Sequence, residues 1–388
     1  AANKNSYITA GGEDDAVTVT GAINDSTIYL GSGDDAVDLN GAVTDVLIQS
    51  GSGTNSYDIL GNASATLNGG SGSDSLLVTG TLGGEYTMGA GKDTIEVNGA
   101  NKASGTLKMG DGDDVIDLAG EAGGTFYLGS GDDQITIADK VSESTIQSGS
   151  GNNTFSLEEA DSITLVSGSG NDAFTASAAV GDSTFTFGAG KDTVTYDTTF
   201  DDSSVKGEAD DDKITITGTS SKASVYGGEG KDAIVLTGLA TKGVITDSQG
   251  VADISLDGGA TDTTVTTGTE ADAVDIKNAA FTTSSLTTAA GNDTITITGA
   301  VNLVGSTITA GEGNDSVKLG AGSSISGSDD ATIFLGAGND TLTVAAAVTD
   351  TAISSESGDN YVEVTGVLGG VGTGSTVTLG SGADTIKL

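Results

Sequence analysis

The chain has 388 residues and a formal net charge of −41, from 55 acidic residues against 14 basic ones, with 62 glycines and no proline, cysteine, histidine or tryptophan. All of the basic residues are lysines. This composition excludes disulfides and cysteine–zinc sites, removes the imidazole, thiol and guanidinium groups on which most catalysis leans, and offers no basic patch to nucleic acid.

An acidic, glycine-rich chain with few aromatics ordinarily stays disordered, but here Val, Ile and Leu fall in short regular runs. Residues 26–45 show the pattern. Ser26-Thr27-Ile28-Tyr29-Leu30 alternates and favours a strand. Gly31-Ser32-Gly33-Asp34-Asp35 is a turn. Ala36-Val37-Asp38-Leu39 alternates again, and Asn40-Gly41-Ala42-Val43-Thr44-Asp45 is a second turn with one apolar residue. From the amino end, the residue two before the first apolar residue of the strand recurs as Asp15, Asp35, Asn55, Asp74, Asp93, Asp114, Asp133, Asn153, Asp172, Asp192, Asp212, Asp232, Ala252, Asp272, Asp293, Asp315, Asp340, Asn360 and Asp384. Most intervals are 19 to 21 residues. The longer ones carry Gly/Ser-rich insertions near 321–330 and 367–374, expected to bulge as loops.

A period this regular predicts an all-β fold: a parallel β-roll or β-helix solenoid of about 19 coils of roughly 20 residues, two short strands per coil. Strands of four or five residues bury nothing alone, whereas coils stacked in register share a continuous thin core. No shift of composition divides the chain, so residues 1–388 read as one continuous solenoid domain.

The turn carries the candidate chemistry. Its glycines supply positive φ and let stacked backbones approach. They are Gly31 and Gly33, Gly70 and Gly72, Gly89 and Gly91, Gly110 and Gly112, Gly129 and Gly131, Gly188 and Gly190, Gly228 and Gly230, Gly311 and Gly313, and Gly336 and Gly338. Carbonyl oxygens and the acidic side chain together resemble the mixed oxygen set, six to eight at about 2.4 Å, that Ca²⁺ takes. Carboxylates stacked at strand spacing repel without a counterion. The aspartates and asparagines of the recurring column, with these glycines, are therefore the expected metal ligands. Asn55, Asn153 and Asn360 keep an oxygen but lose the charge. Ala252 loses the ligand, with Asp253 beside it, and the turn before Asp212 lacks glycine. The residue before each ligand varies (Asp34, Lys92, Asn171, Lys191, Asn339) and reads as solvent-facing.

The best copies, Gly69-Gly70-Ser71-Gly72-Ser73-Asp74-Ser75-Leu76-Leu77 and Gly227-Gly228-Glu229-Gly230-Lys231-Asp232-Ala233-Ile234-Val235, resemble the RTX, or hemolysin-type, calcium-binding nonapeptide repeat. The resemblance covers the whole chain, once per coil. It departs from the family in its longer coil, in a second turn without the motif, and in the frequent loss of the first glycine (Leu30, Met88, Met109, Leu128, Phe187, Leu335, Leu379). It implies Ca²⁺ ions stacked in a single file along one edge, a right-handed coil and an extracellular or cell-surface location.

Catalytic carboxylates should break the repeat, and none does, so no enzyme is expected. The resemblance includes surface-layer, adhesin and toxin proteins, and no toxin or enzyme module accompanies the repeats. The chain ends inside a strand, Thr385-Ile386-Lys387-Leu388, without a polar cap, and open sheet edges invite pairing. The sequence thus points to a secreted calcium-binding structural protein whose partner is itself, in a surface layer or filament. The alternative is the calcium-stiffened stalk or carbohydrate-binding region of an adhesin. Cell-surface polysaccharide would then be the partner. Aromatics lie on strands at Tyr29, Tyr57, Tyr86, Tyr127, Phe185 and Phe187; Tyr29 alternates out of phase with Ile28 and Leu30, so some of them are expected to face outward, where a ladder would serve sugar binding or lateral assembly equally.

Overall fold

The computed structural model describes residues 3–100, 103–277, 280–299, 302–321, 324–325, 331–345, 347–369 and 374–388. The described chain divides into two compact units, Ala1–Ala189 and Gly190–Leu388. Each is a parallel β-solenoid, with no helix among the described residues. The insertions expected near 321–330 and 367–374 lie largely outside the described residues.

In the first unit, Thr94–Val97 pairs in parallel with Ser75–Val78 on one side and Val115–Leu118 on the other, residue on equivalent residue. Period-two alternation sends every second side chain inward. Val37, Tyr57, Leu76, Ile95 and Ile116 form one inner column, and Leu39, Ile59, Val78, Val97 and Leu118 the next, all essentially without solvent exposure. Further along, Phe174 packs edge-on against Phe185 and Phe187, with ring centroids 5.0 and 5.8 Å away. The second unit repeats the plan, for example Lys213–Ile216 beside Ile234 and Leu236 of Ser224–Leu236.

Several coils have one more strand than the sequence suggests, and in others, such as Ala63–Ser71 and Leu82–Ala90, the corner is continuous with the strand that follows. What reads as a second turn contains a two-residue strand, such as Ile23–Asn24, Val180–Gly181, Phe200–Asp201 and Ala240–Thr241. Its single apolar residue is buried (Ile23, Val180, Phe200, Ala240). A buried hydroxyl closes that corner: Ser26 Oγ donates to the Asn24 carbonyl at 2.7 Å and accepts the Ser6 N–H of the preceding coil at 3.0 Å. One apolar residue between polar neighbours is too short a period to announce a strand. The buried face and the neighbouring coil create it.

The motif turn dictates its glycines. Gly112 has φ +140°, and a Cβ there would lie 1.6 Å from the Gly91 carbonyl oxygen of the preceding coil. Gly181, at the other corner, would meet nothing within 4 Å. Gly112→Ala is therefore expected to cost more than about 3 kcal/mol, because strain and clash act together. Gly181→Ala should stay within about 1 kcal/mol. Denaturant unfolding of the two variants, both in calcium, checks the contrast.

Candidate metal centre

The recurring acidic residue points into the coil. Asp35, Asp74, Asp93, Asp114 and Asp133 in the first unit are at most 2% exposed, and Asp212, Asp232, Asp272, Asp293, Asp315 and Asp340 in the second are equally buried. Each folds back so that its Oδ1 accepts the backbone N–H of the equivalent residue in the coil before. The Asp93 N–H donates to Asp114 Oδ1 at 2.7 Å, and the Asp114 N–H to Asp133 Oδ1 at 2.9 Å. The same bonds run from Asp15 to Asp172 in the first unit. In the second they link Asp192, Asp212 and Asp232, then resume from Ala252 to Asp384.

The second oxygen has no such role. Oδ2 of Asp35, Asp74, Asp93, Asp114, Asp133, Asp212, Asp232, Asp315 and Asp340 is buried without a hydrogen-bond partner. The asparagine coils reveal what it faces. Asn and Asp are isosteric, and the neighbouring backbone N–H identifies Oδ1, so Nδ2 stands where an aspartate has Oδ2. In Asn153 that nitrogen donates to the Gly151 carbonyl at 2.9 Å, to Asp172 Oδ1 at 3.0 Å and to Ser148 Oγ at 3.1 Å. Asn360 repeats the set on Gly358, Asp384 and Ser355 at 3.0–3.1 Å. Asn55 reaches Gly53 at 3.3 Å and Asp74 at 2.8 Å. An ionised aspartate in this place therefore turns an acceptor toward other acceptors.

A carbonyl of the next coil joins the cluster. A Cβ on Gly69 would fall 2.5 Å from Asp74 Oδ2 and 2.6 Å from the Met88 carbonyl oxygen, so both flank one point inside the turn. Gly207 sits in the same way beside Asp212 Oδ2 and the Gly227 carbonyl. The cost of this crowding appears as raised carboxyl pKa values. Burial pushes Asp93, Asp133 and Asp340 from 3.8 up to about 6, with neighbouring aspartate charges adding. Burial, reinforced by the aspartates in line with them, carries Asp114 and Asp293 to about 7 and Asp212 to about 8.

A buried carboxylate without a partner must be neutralised by a proton or by a cation. The oxygens on offer are a carboxylate Oδ2, the Gly carbonyl two residues earlier, Oδ1 of the next coil and the carbonyl at the start of the next motif. This hard, mixed set fits Ca²⁺. Among the described residues no three acidic side chains gather at one point, so backbone carbonyls must complete any coordination shell.

The expected ligands do not all behave alike. Asp15 is only half-buried, and its Oδ2 accepts the Gly11 N–H at 2.9 Å. Asp172 Oδ2 accepts the Ser167 hydroxyl. The glycine-free turn before Asp212 holds its shape, Glu208 and Asp210 taking φ of +87° and +77° in the glycine positions. The residue before each ligand is exposed, as its variability suggests, yet it builds a second ladder of opposite polarity. The Asp34 N–H donates to Asp14 Oδ1 at 2.9 Å, Asn152 to Asp132 at 2.7 Å and Asn339 to Asn314 at 2.8 Å.

The strand aromatics divide between the two faces, most of them inward. Tyr57, Tyr86, Phe185 and Phe187 are buried, Tyr29 is partly covered and Tyr127 is 38% exposed. Around Ala252 the structure corrects the sequence reading. Asp253 faces outward, and the carboxylate that enters the coil is Asp247, 0% exposed. Asp247 occupies the first-glycine position of its own motif copy, and that offset of five residues was the signal available in the sequence.

No protein-family model matches the chain, and no curated protein matches it in sequence. Among solved structures it is similar to a hyperactive, Ca²⁺-dependent, β-helical antifreeze protein from an Antarctic bacterium. The identity is 19%, the TM-score is 0.41, and the match covers 82% of this chain and 84% of that one. No helix among the described residues is long and apolar enough to cross a membrane.

Proposed function

We propose that this is a calcium-stabilised structural solenoid of the RTX type, working outside the cell and assembling with copies of itself into a surface layer or filament. The observation that carries the calcium reading is the column of buried Oδ2 atoms facing backbone carbonyls without a donor. A cation in each carboxylate coil neutralises the column and ties each coil to the next, so folding and metal binding become one process. An extracellular setting suits this chemistry, because sites with one carboxylate and several carbonyls match the millimolar calcium found there. The structural role rests on the repeat: the aspartate column serves one ladder from coil to coil, and the chain has no histidine, cysteine or arginine beside it. The inward turn of Tyr57, Tyr86, Phe185 and Phe187 leaves the carbohydrate-binding alternative only scattered outward aromatics such as Tyr7, Tyr29 and Tyr127.

Stripping the full chain of metal and restoring Ca²⁺ tests this reading, with circular dichroism, native mass spectrometry and negative-stain microscopy on the same samples. The expected result is loss of β-structure on chelation, recovery with about one ion per carboxylate coil, and ordered sheets or fibres afterwards. A chain that stays folded and binds no calcium overturns the metal reading. A calcium-loaded chain that remains monomeric overturns the assembly.

A further inference from the structure

One coil departs from the pattern in a way that adds chemistry. At Ala252 the turn loses its carboxylate, and the ladder is replaced by continuous strand pairing, Asp232 on Ala252 and Gly230 on Gly250. Strand Val244–Asp247 delivers a different carboxylate into the same space from the other side of the turn. In other coils the place of Asp247 is taken by glycine, by a hydroxyl residue such as Ser148 or Ser167, or by an apolar residue such as Met109. Here it is a charged group, 0% exposed.

Three buried oxygens converge there. Neither oxygen of Asp247 makes a hydrogen bond of good geometry, and Oδ2 of Asp232 makes none either; the Gly228 N–H reaches toward Asp247 at poorer geometry, and the Asp232 carboxyl faces it. A Cβ on Gly227 would lie 2.6 Å from Asp232 Oδ2 and 2.8 Å from Asp247 Cγ, so both carboxyl groups border the space that the missing side chain of Gly227 leaves. Asp247 is thus a fully buried carboxyl with no well-formed hydrogen bond, aimed at a second buried carboxyl whose Oδ2 has none.

We propose that Asp232 and Asp247 form a two-carboxylate site for a divalent cation, Ca²⁺ in the first instance, bound more tightly than at any single-carboxylate coil. This rests on the calcium reading above. The argument is one of charge and ligand count. Other coils bring one carboxylate to the turn, whereas this site brings two, and affinity for Ca²⁺ rises with ligand charge. Two facing carboxylates without a counterion repel each other in a medium of low polarity, and one ion between them removes that repulsion. Asp247 also restores the carboxylate that Ala252 deletes, which keeps the column continuous.

The experiment is a graded chelator titration of the calcium-loaded full chain, with native mass spectrometry counting the ions that remain. It compares the unaltered protein with Asp247→Asn, with Asp247→Ser, which installs the residue found at Ser148 and Ser167, and with Asp253→Asn as a control. In the unaltered chain and the control, the last ion to leave is expected to need at least tenfold more chelator than the bulk of the ions. Both Asp247 variants should lose that late-released class, the ion at Asp232 leaving with the bulk of the others, which are released as before. Equal counts and equal release curves for all four proteins overturn the two-carboxylate site while leaving the calcium file in place. A chain that binds no calcium at all overturns the broader reading. An Asp247→Ser chain that folds and keeps the tightest ion also overturns the proposal.

Discussion

In metal-free buffer the protein is expected to lose stability as pH rises from about 4 to about 8, and millimolar calcium is expected to abolish that loss. The sign follows from the buried aspartates. Their folded-state pKa values are raised, Asp93, Asp133 and Asp340 to about 6, Asp114 and Asp293 to about 7 and Asp212 to about 8, from 3.8. Across that window the folded chain holds protons that the unfolded chain has released, so stability falls with rising pH. It is fullest below the unfolded value of 3.8 and gone above about 8. A carboxyl moved by two to three pH units contributes about 3–4 kcal/mol over the window. Stacked neighbours titrate as a set rather than singly, yet a few such groups match a whole domain's usual stability of about 5–15 kcal/mol. Near neutral pH the metal-free chain should therefore be largely unfolded.

Exposed acids push in the same direction through the net charge, and salt separates the two effects. Sodium chloride at about 1 M shrinks the screening length to about 3 Å and quiets exposed charges, but it does little for buried ones. Thermal melts followed by circular dichroism at several pH values, with chelator, with added sodium chloride or with calcium, read the result. A metal-free melt that is flat or rising from pH 4 to 8, or one that sodium restores as well as calcium does, sinks the assignment.

The fold was legible because its signals are periodic. Gly31-Ser32-Gly33-Asp34-Asp35 and its copies mark the turns, the alternation in Ala36–Leu39 marks a strand, and the spacing marks the parallel stack. The buried column was legible as a set of residues, because Asp and Asn recur at one phase of the repeat. Three things escaped for physical reasons. The corner strand at Val180–Gly181 has one apolar residue, and its strand character comes from the coil above and below. The ladder through Asp34, Asn152 and Asn339 uses residues whose identity is free so long as an oxygen is within reach, so variability there hides a role. Asp247 broke no rule of its own strand. It matters only because Ala252 fails five residues later, and a reading aligned on the ligand position looks beside the gap, at Asp253, rather than across the turn.

The asparagine coils lead to the second large effect. Asp114→Asn is expected to raise the melting temperature of the metal-free protein, measured at the highest pH at which that protein still folds, and to lower the calcium content by one ion. In the native chain Asn153 shows the outcome in advance: its Nδ2 satisfies the Gly151 carbonyl and Asp172 Oδ1 at 2.9 and 3.0 Å. At position 114 the new amide meets the equivalent oxygens, the Gly112 carbonyl and Asp133 Oδ1, and replaces a buried acceptor that has no donor. An unsatisfied buried group costs about 1–3 kcal/mol, more when charged. At roughly 2–4 °C per kcal/mol for a chain of this size class, the metal-free midpoint should rise by about 5 °C or more. In excess calcium the same change removes an ion bound only by the folded state, so there the variant should melt below the unaltered protein. The reverse change, Asn153→Asp, should weaken the metal-free chain and add a bound ion. A proton held on Asp114 in place of a metal would leave the calcium count untouched by Asp114→Asn, and a purely structural hydrogen-bond ladder would make both substitutions silent, since Oδ1 survives in each. Opposite signs with and without calcium are the outcome that only a cation in the aspartate coils produces.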